Sequence, residues 1–194
     1  MKILHTERLN LRMLVPSDAD FVYRLMNDEA WLAQIGDRGI RTPDDARRYL
    51  LDGPWTRYAE FGFGFYAVER RGLPEPMGVC GLAKRPHLDQ PDLGFAFLPR
   101  YRGAGYAREA AQAVLAFAAT LGLKRIAATT RPSNASSRRL LNELGMKECE
   151  EFISPVSGQP VLLYIFEGPE QQHLLPCSDS GVRCDLETAR SRLP

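Results

Sequence analysis

The order of patterned segments predicts a mixed α/β domain: a mostly antiparallel central sheet, one parallel strand pair and flanking helices. Three observations carry that expectation. Residues 64–98 hold three strand-like runs separated by turn residues, which reads as an antiparallel meander. Residues 103–121 show a long helical pattern between two strand-like runs, and a helix joining neighbouring strands implies parallel pairing with a right-handed crossover. The 194 residues, 44% hydrophobic and 25% charged, have the composition of one folded domain of ordinary size.

Residues 8–14 alternate polar and apolar side chains, the period of a strand with one buried face. Pro16, Ser17 and Asp18 stop that strand and cap a helix carrying Phe21, Val22, Leu25 and Met26. Thr42 caps a second helix with Pro43 at its first position, ending near Gly53 and Pro54. The meander then runs through residues 64–69, 77–83 and 92–98, with Gly72, Pro74 and Pro76 as turn residues. The helix over 103–121 places Ala110, Val114, Phe117 and Leu121 along one broad face and stops at Gly122. Residues 124–130 have a near-continuous apolar centre, as a strand buried on both faces does. A helix opens at Pro132, Ser133 and Asn134 and runs to Gly145, and strands over 146–153 and 161–167 close the domain. The expected division is a domain over residues 1–167 and a loosely ordered tail over 168–194.

Composition excludes several function classes. Lys and Arg total 25 against 24 Asp and Glu, so the net charge is +1 and no basic footprint for nucleic acid exists in the whole. No apolar run approaches the ~20 residues of a membrane span. The opening residues become charged too soon for a signal peptide, so the expected location is the cytoplasm. Cys80 and Cys149 read as ordinary thiols, and a Cys177–Cys184 pairing is disfavoured in a reducing compartment. His5, His87 and His173 lie far apart with no zinc-ligand spacing, so no metal site is expected. The expected assembly is a monomer or homodimer.

The chemistry concentrates between the third meander strand and the long helix. Gly103 and Gly105 allow a tight turn, and the helix that follows offers free amides and the positive end of its dipole. Such a turn suits an anion such as a pyrophosphate. Arg100, Arg102 and Arg108 add charge beside it. The plain alternative is a strand-to-helix turn with solvent-facing arginines. The Gly-Lys-Ser/Thr ending of a nucleotide P-loop is missing, as is a third glycine in the dinucleotide-binding register.

The stretch Arg100-x-x-Gly103-x-Gly105-Tyr106-Ala107-x-Glu109-Ala110 resembles the acetyl-CoA signature of the GNAT N-acetyltransferase superfamily. Thr6-Glu7-Arg8-Leu9-x-Leu11-Arg12, Asp92-Leu93-Gly94-Phe95, and Asn134-x-x-Ser137-x-x-Leu140-Leu141 leading to Gly145-Met146 resemble its ribosomal-protein-alanine N-acetyltransferase branch. The resemblance covers residues 6–167. It implies that the strands over 92–98 and 124–130 splay apart around acetyl-CoA, with coenzyme A as product. The pyrophosphate would rest on the amides of Gly103, Ala104, Gly105, Tyr106 and Ala107, with Arg102 adding charge. Pantetheine would pair with the main chain at Phe97 and Leu98, and Asn134 and Ser137 would face its arm and sulfur. The alternative for the last two is helix capping and a solvent-facing serine.

The implied reaction is direct attack of a neutral amine on the thioester, with no covalent enzyme intermediate. It needs two oriented reactants, an oxyanion donor and a proton route. Main-chain N–H groups near Phe97 or Leu98 are the expected oxyanion donors. Asp92 is the expected base, because alternation sends it with Gly94 and Ala96 toward the cleft; its alternative is a water-facing charge at a strand start. Glu109 reads as a helix-stabilising charge, and His87 as an exposed loop residue. Many relatives carry a tyrosine acid where this chain has Leu141, which leaves Ser137 as the proton donor and Tyr164 as a fallback. The expected acceptor is a protein or peptide N-terminus; the alternatives are a small amine such as an antibiotic or polyamine, or a non-catalytic acyl-CoA-binding module that keeps the cleft. Trp31, Ile35, Trp55, Phe61, Phe63 and Phe65 are candidate walls, with Asp28, Glu29, Asp37, Asp44 and Asp45 near the entrance.

Overall fold

The computed structural model describes residues 2–168 and a two-residue strand at 183–184. The strands are β1 (Lys2–His5), β2 (Leu9–Met13), β3 (Phe65–Arg70), β4 (Leu73–Ala83), β5 (Asp92–Phe97), β6 (Arg125–Thr130), β7 (Lys147–Ile153), β8 (Pro160–Glu167) and β9 (Arg183–Cys184). They form one sheet in the order β7-β8-β6-β5-β4-β3-β2-β1-β9. Neighbours pair antiparallel except β5 and β6, which pair parallel. The helices are α1 (Ala19–Met26), α2 (Glu29–Gln34), α3 (Pro43–Asp52), α4 (Tyr58–Phe61), α5 (Tyr106–Thr120) and α6 (Ala135–Glu143). Among the described residues no helix is long and apolar enough to cross a membrane.

Strand alternation divides the core between the two faces of the sheet. Leu9, Leu11, Tyr66, Val68, Leu93 and Phe97 pack with the apolar face of α5. Phe65, Ala67, Val79, Ala83 and Leu98 turn the other way and pack with Phe21, Leu25, Trp31 and Leu50 from α1, α2 and α3. α5 is 15 residues of mostly alanine and leucine-type helix formers, and its buried stripe is Ala110, Ala111, Val114, Phe117 and Ala118. Gly122 ends the turn after it at φ +75°, a conformation costly for a residue with a Cβ.

Buried charge ties β2 to β3. Arg12 on β2 donates to both carboxylate oxygens of Asp18, at 2.7 and 2.8 Å, and its Nε donates to Glu69 on β3 at 2.6 Å. Asp18 and Glu69 are 6% and 4% exposed, so this planar fork satisfies two carboxylates that water cannot reach.

Some elements depart from expectation. β4 begins at Leu73, passing through Pro74 and Pro76 where the β3–β4 register shifts, a place where a strand tolerates proline. β1, α2 and α4 were not expected; the two helices have six and four residues, too few for a helical period to emerge. The expected tail, residues 168–194, lies outside the described residues except for Gly168 and β9, which pairs antiparallel with β1. Cys177, whose pairing with Cys184 the sequence disfavours, also lies outside them. Cys80 is buried and Cys149 exposed, both as free thiols.

Candidate active site

The parallel pair is where the sheet opens. β5 and β6 meet only at Asp92 and Ala127, while β6 continues along β8. Leu98 N–H donates to the Met77 carbonyl at 3.0 Å. In an antiparallel ladder bonding alternates from one edge to the other. Ala96 and Gly94 therefore also bond toward β4, and Phe95 and Phe97 direct their main-chain groups to the opposite edge. Past Asp92, no strand among the described residues pairs with that edge. The Phe97 carbonyl accepts from Arg102 Nε at 2.8 Å, which leaves the Phe97 N–H facing the split.

A cavity of about 900 Å³ runs through the opening. One half lies against the start of α5, where Gly103 and Gly105 hold φ of +75° and +79° and line the cavity with Tyr106 and Ala107. A Cβ built on Gly103 would meet nothing within 4 Å, so the glycine serves the backbone turn and leaves room beside it. Arg8 braces the turn from behind: its guanidinium donates to the Ala104 carbonyl at 3.1 Å and lies 4.7 Å from the Tyr106 ring centre. Glu109 fastens Arg8 in turn, accepting from its N–H at 2.9 Å, from its Nε at 2.6 Å and from the Thr6 hydroxyl. Burial pushes the Glu109 carboxyl up, and these donors pull it below its usual value overall.

Asp92 stands at the junction of the two halves. It is 5% exposed, so it is not a water-facing strand-start charge. Arg85 Nε donates to one carboxylate oxygen at 3.0 Å, and the other has no hydrogen-bond partner among the described residues. Burial pushes its carboxyl up, against opposing pulls from Arg85, His87 and the nearby Thr129 N–H, so a proton is held more readily than in water. His87 is half-buried on the cavity wall beside Phe152, not exposed as its loop position suggested.

Asn134 and Ser137 both line the cavity from the start of α6. Asn134 also caps that helix, its Oδ1 accepting from Ser137 N–H at 3.1 Å. The capping and cavity-facing alternatives therefore coexist. Leu98 and Ala104 do not line the cavity; Leu98 gives its N–H to Met77 and its side chain to the core. This corrects the expectation that Leu98 offers a main-chain donor. Tyr164 is buried, its hydroxyl donates to Glu148, and it does not line the cavity.

The arginines arrange differently from their clustering in sequence. Arg100 pairs with Glu75 at 2.7 Å and does not line the cavity, while Arg102 lines it with its guanidinium bonded to Asp28. The arginines lining the cavity are Arg38, Arg85, Arg102, Arg108, Arg131 and Arg139, and the donor-site residues expected from sequence do not include Arg131 or Arg139. Of the expected acceptor walls, Trp31, Ile35, Trp55 and Phe65 line the second half of the cavity. Phe61 and Phe63 stack on each other and pack with the other core.

A split sheet whose bare strand edge points at a glycine-rich helix start fits the acyl-CoA-dependent acyltransferase that the sequence resemblance implies. Comparison with known proteins agrees: residues 8–147 match the acetyltransferase (GNAT) domain model. The chain is 42% identical over 143 residues to the uncharacterized N-acetyltransferase YnaD of Bacillus subtilis (strain 168), spanning 73% of this chain and 81% of that one. Among solved structures, an acetyltransferase from Agrobacterium tumefaciens str. C58 superposes with a TM-score of 0.73 at 24% identity, covering 87% of this chain and 95% of the other. RimL, a ribosomal L7/L12 alpha-N-protein acetyltransferase in complex with coenzyme A, shares the fold at TM-score 0.70 and 17% identity, covering 84% and 95%. This chain belongs to the GNAT acetyltransferase family and is an acetyl-CoA-dependent acetyltransferase.

Proposed function

We propose that the protein acetylates a primary amine by direct transfer within a ternary complex, with Asp92 as general base. The observation that carries this reading is the position of a buried, half-satisfied carboxylate where the bare β5 edge meets the second half of the cavity. Acetyl-CoA supplies the acetyl thioester. The residues present fit it: the N–H groups at Gly103, Gly105, Tyr106 and Ala107 suit its pyrophosphate, and the β5 edge suits its pantetheine amides. Arg102, turned to Asp28, serves by fixing Phe97 rather than by touching phosphate.

Asp92 accepts the proton that the amine loses, directly or through one water. Phe97 N–H donates to the oxygen on which negative charge develops, a role the occupied Leu98 N–H cannot take. Ser137 donates a proton toward the departing sulfur. The catalytic unit is residues 1–167, and the free thiols of Cys80 and Cys149 fit a reducing cytoplasm. The acceptor amine belongs to a protein N-terminus or to a small molecule; RimL, by its name, acts on a protein. The test is release of free thiol from acetyl-CoA against a panel of primary amines. Amine-dependent release is the expected result. Coenzyme A binding with no release on any amine would overturn the reading.

A further inference from the structure

We propose that the acceptor half of the cavity takes a small primary amine with an aromatic or apolar body and an attached carboxylate, and disfavours polycations. The inference deepens the acetyl-transfer reading and rests on it.

The walls are aromatic and held rigid. Trp55 stacks on Phe65 with ring centres 5.0 Å apart, and Trp31 and Tyr49 meet it edge-on at 5.8 and 5.4 Å. Trp31, Trp55 and Phe65 are each about one-twentieth exposed, so the rings are packed before any acceptor arrives. Such walls favour an apolar body.

Two acceptor atoms in this half lack donors. Asp92 Oδ1 and Gln34 Oε1 are the buried side-chain atoms without a hydrogen-bond partner among the described residues, and both residues line the cavity. An unsatisfied buried oxygen is costly, and an ammonium entering the cavity brings donors for such oxygens.

The remaining charge is positive. Arg38 lines this half and has no ion pair among the described residues, and the Tyr49 hydroxyl nearby has no hydrogen bond there either. Burial pushes the Tyr49 phenol up, with Arg38 and Arg85 opposing. A guanidinium and a phenol O–H together offer a carboxylate its donors. Of the entrance acids, Glu29 and Asp44 do not line the cavity, and the other three are held by arginines. Asp28 holds Arg102 and caps α2, Asp37 holds Arg41, and Asp45 holds Arg48 and caps α3. A polyamine would bring surplus positive charge to a rim that already carries Arg38.

The test uses the full chain with phenylalanine, 2-phenylethylamine, spermidine and a short peptide beginning with alanine. Both tryptophans of the chain line the cavity, so quenching of their fluorescence with coenzyme A present reads acceptor binding apart from turnover. Thiol release from acetyl-CoA reads transfer. Phenylalanine is expected to bind and react at least about tenfold better than the other three, the scale of one charge-assisted contact. Arg38→Met is expected to collapse the gap between phenylalanine and 2-phenylethylamine, and Arg38→Lys to keep part of it. Coenzyme A affinity of each variant reports that it is folded. Equal or better use of spermidine or the peptide overturns the proposal, as does a gap that survives Arg38→Met. Quenching by phenylalanine without thiol release supports the subsite and overturns the transfer reading; release with other amines but no response to phenylalanine does the reverse.

Discussion

Replacing Asp92 with asparagine separates two consequences of one buried carboxylate. The residue is 5% exposed, with one oxygen on Arg85 at 3.0 Å and one unsatisfied. A buried polar atom without a partner costs about 1–3 kcal/mol, and holding a charge there adds to it. Asparagine has the same shape, keeps an oxygen for Arg85 and carries no charge. Its folded stability should equal that of the native chain or exceed it by about 1 kcal/mol. Catalysis should move the other way. Loss of a general base lowers rate by about 10²–10⁴-fold, or roughly 3–5 kcal/mol of barrier. The assays are urea unfolding and thiol release across pH. Because burial raises the Asp92 pKa above its ordinary value, the native rate should fall as pH drops through that raised value. In the variant this limb should vanish. The stability contribution has the opposite sense: a raised carboxyl costs nothing below its ordinary pKa and progressively more as pH climbs to the raised one. The advantage of Asp92→Asn in unfolding should therefore widen over that interval. A variant within about tenfold of native activity, or one that keeps the acidic limb, refutes the base. A variant less stable by more than about 2 kcal/mol refutes the burial argument.

Gly103→Glu should cost about 1–2 kcal/mol of stability for a side chain at positive φ, yet abolish coenzyme A binding by calorimetry through blockage and added negative charge. Arg12→Met should destabilise by about 3–5 kcal/mol in urea unfolding because Asp18 and Glu69 stay buried without their fork. Arg12→Lys should rescue little, since an ammonium cannot bond both carboxylates in that plane. Glu109→Gln should lose about 1–3 kcal/mol above the ordinary glutamate range, and the gap should close as pH falls through the depressed Glu109 value. Gly94→Val should raise the acceptor KM more than it changes coenzyme A affinity, because a Cβ there comes within 2.7 Å of the Phe65 ring.

The β5–α5–β6 unit was legible because its signals are local: a period of two, a glycine turn, then a long helical period. The same holds for Asn134, whose cap and helix sit within a few residues. The ion-pair partners of Arg100 and Arg102 are out of reach of a sequence reading. Arg100 and Arg102 answer Glu75 and Asp28, which lie 25 and 74 positions away and arrive only through folding. Gln34 was missed for a similar reason, because α2 is too short to announce a face. The strand ending at Leu98 was placed well, but which edge its N–H takes depends on register with Met77, and no pattern within one strand encodes register.

The two halves of the cavity come from separate stretches of chain. Residues 25–65 supply most of the acceptor wall, through α1, α2, α3 and the start of β3, while residues 94–141 supply the glycine turn, α5 and the start of α6. Asp92 stands where the halves meet. A lineage can thus rewrite the segment between β2 and β3 and acquire a new clientele without disturbing the machinery that holds the donor. Transplanting that segment between relatives is correspondingly expected to carry acceptor preference with it, as an exchangeable cassette on a constant chassis.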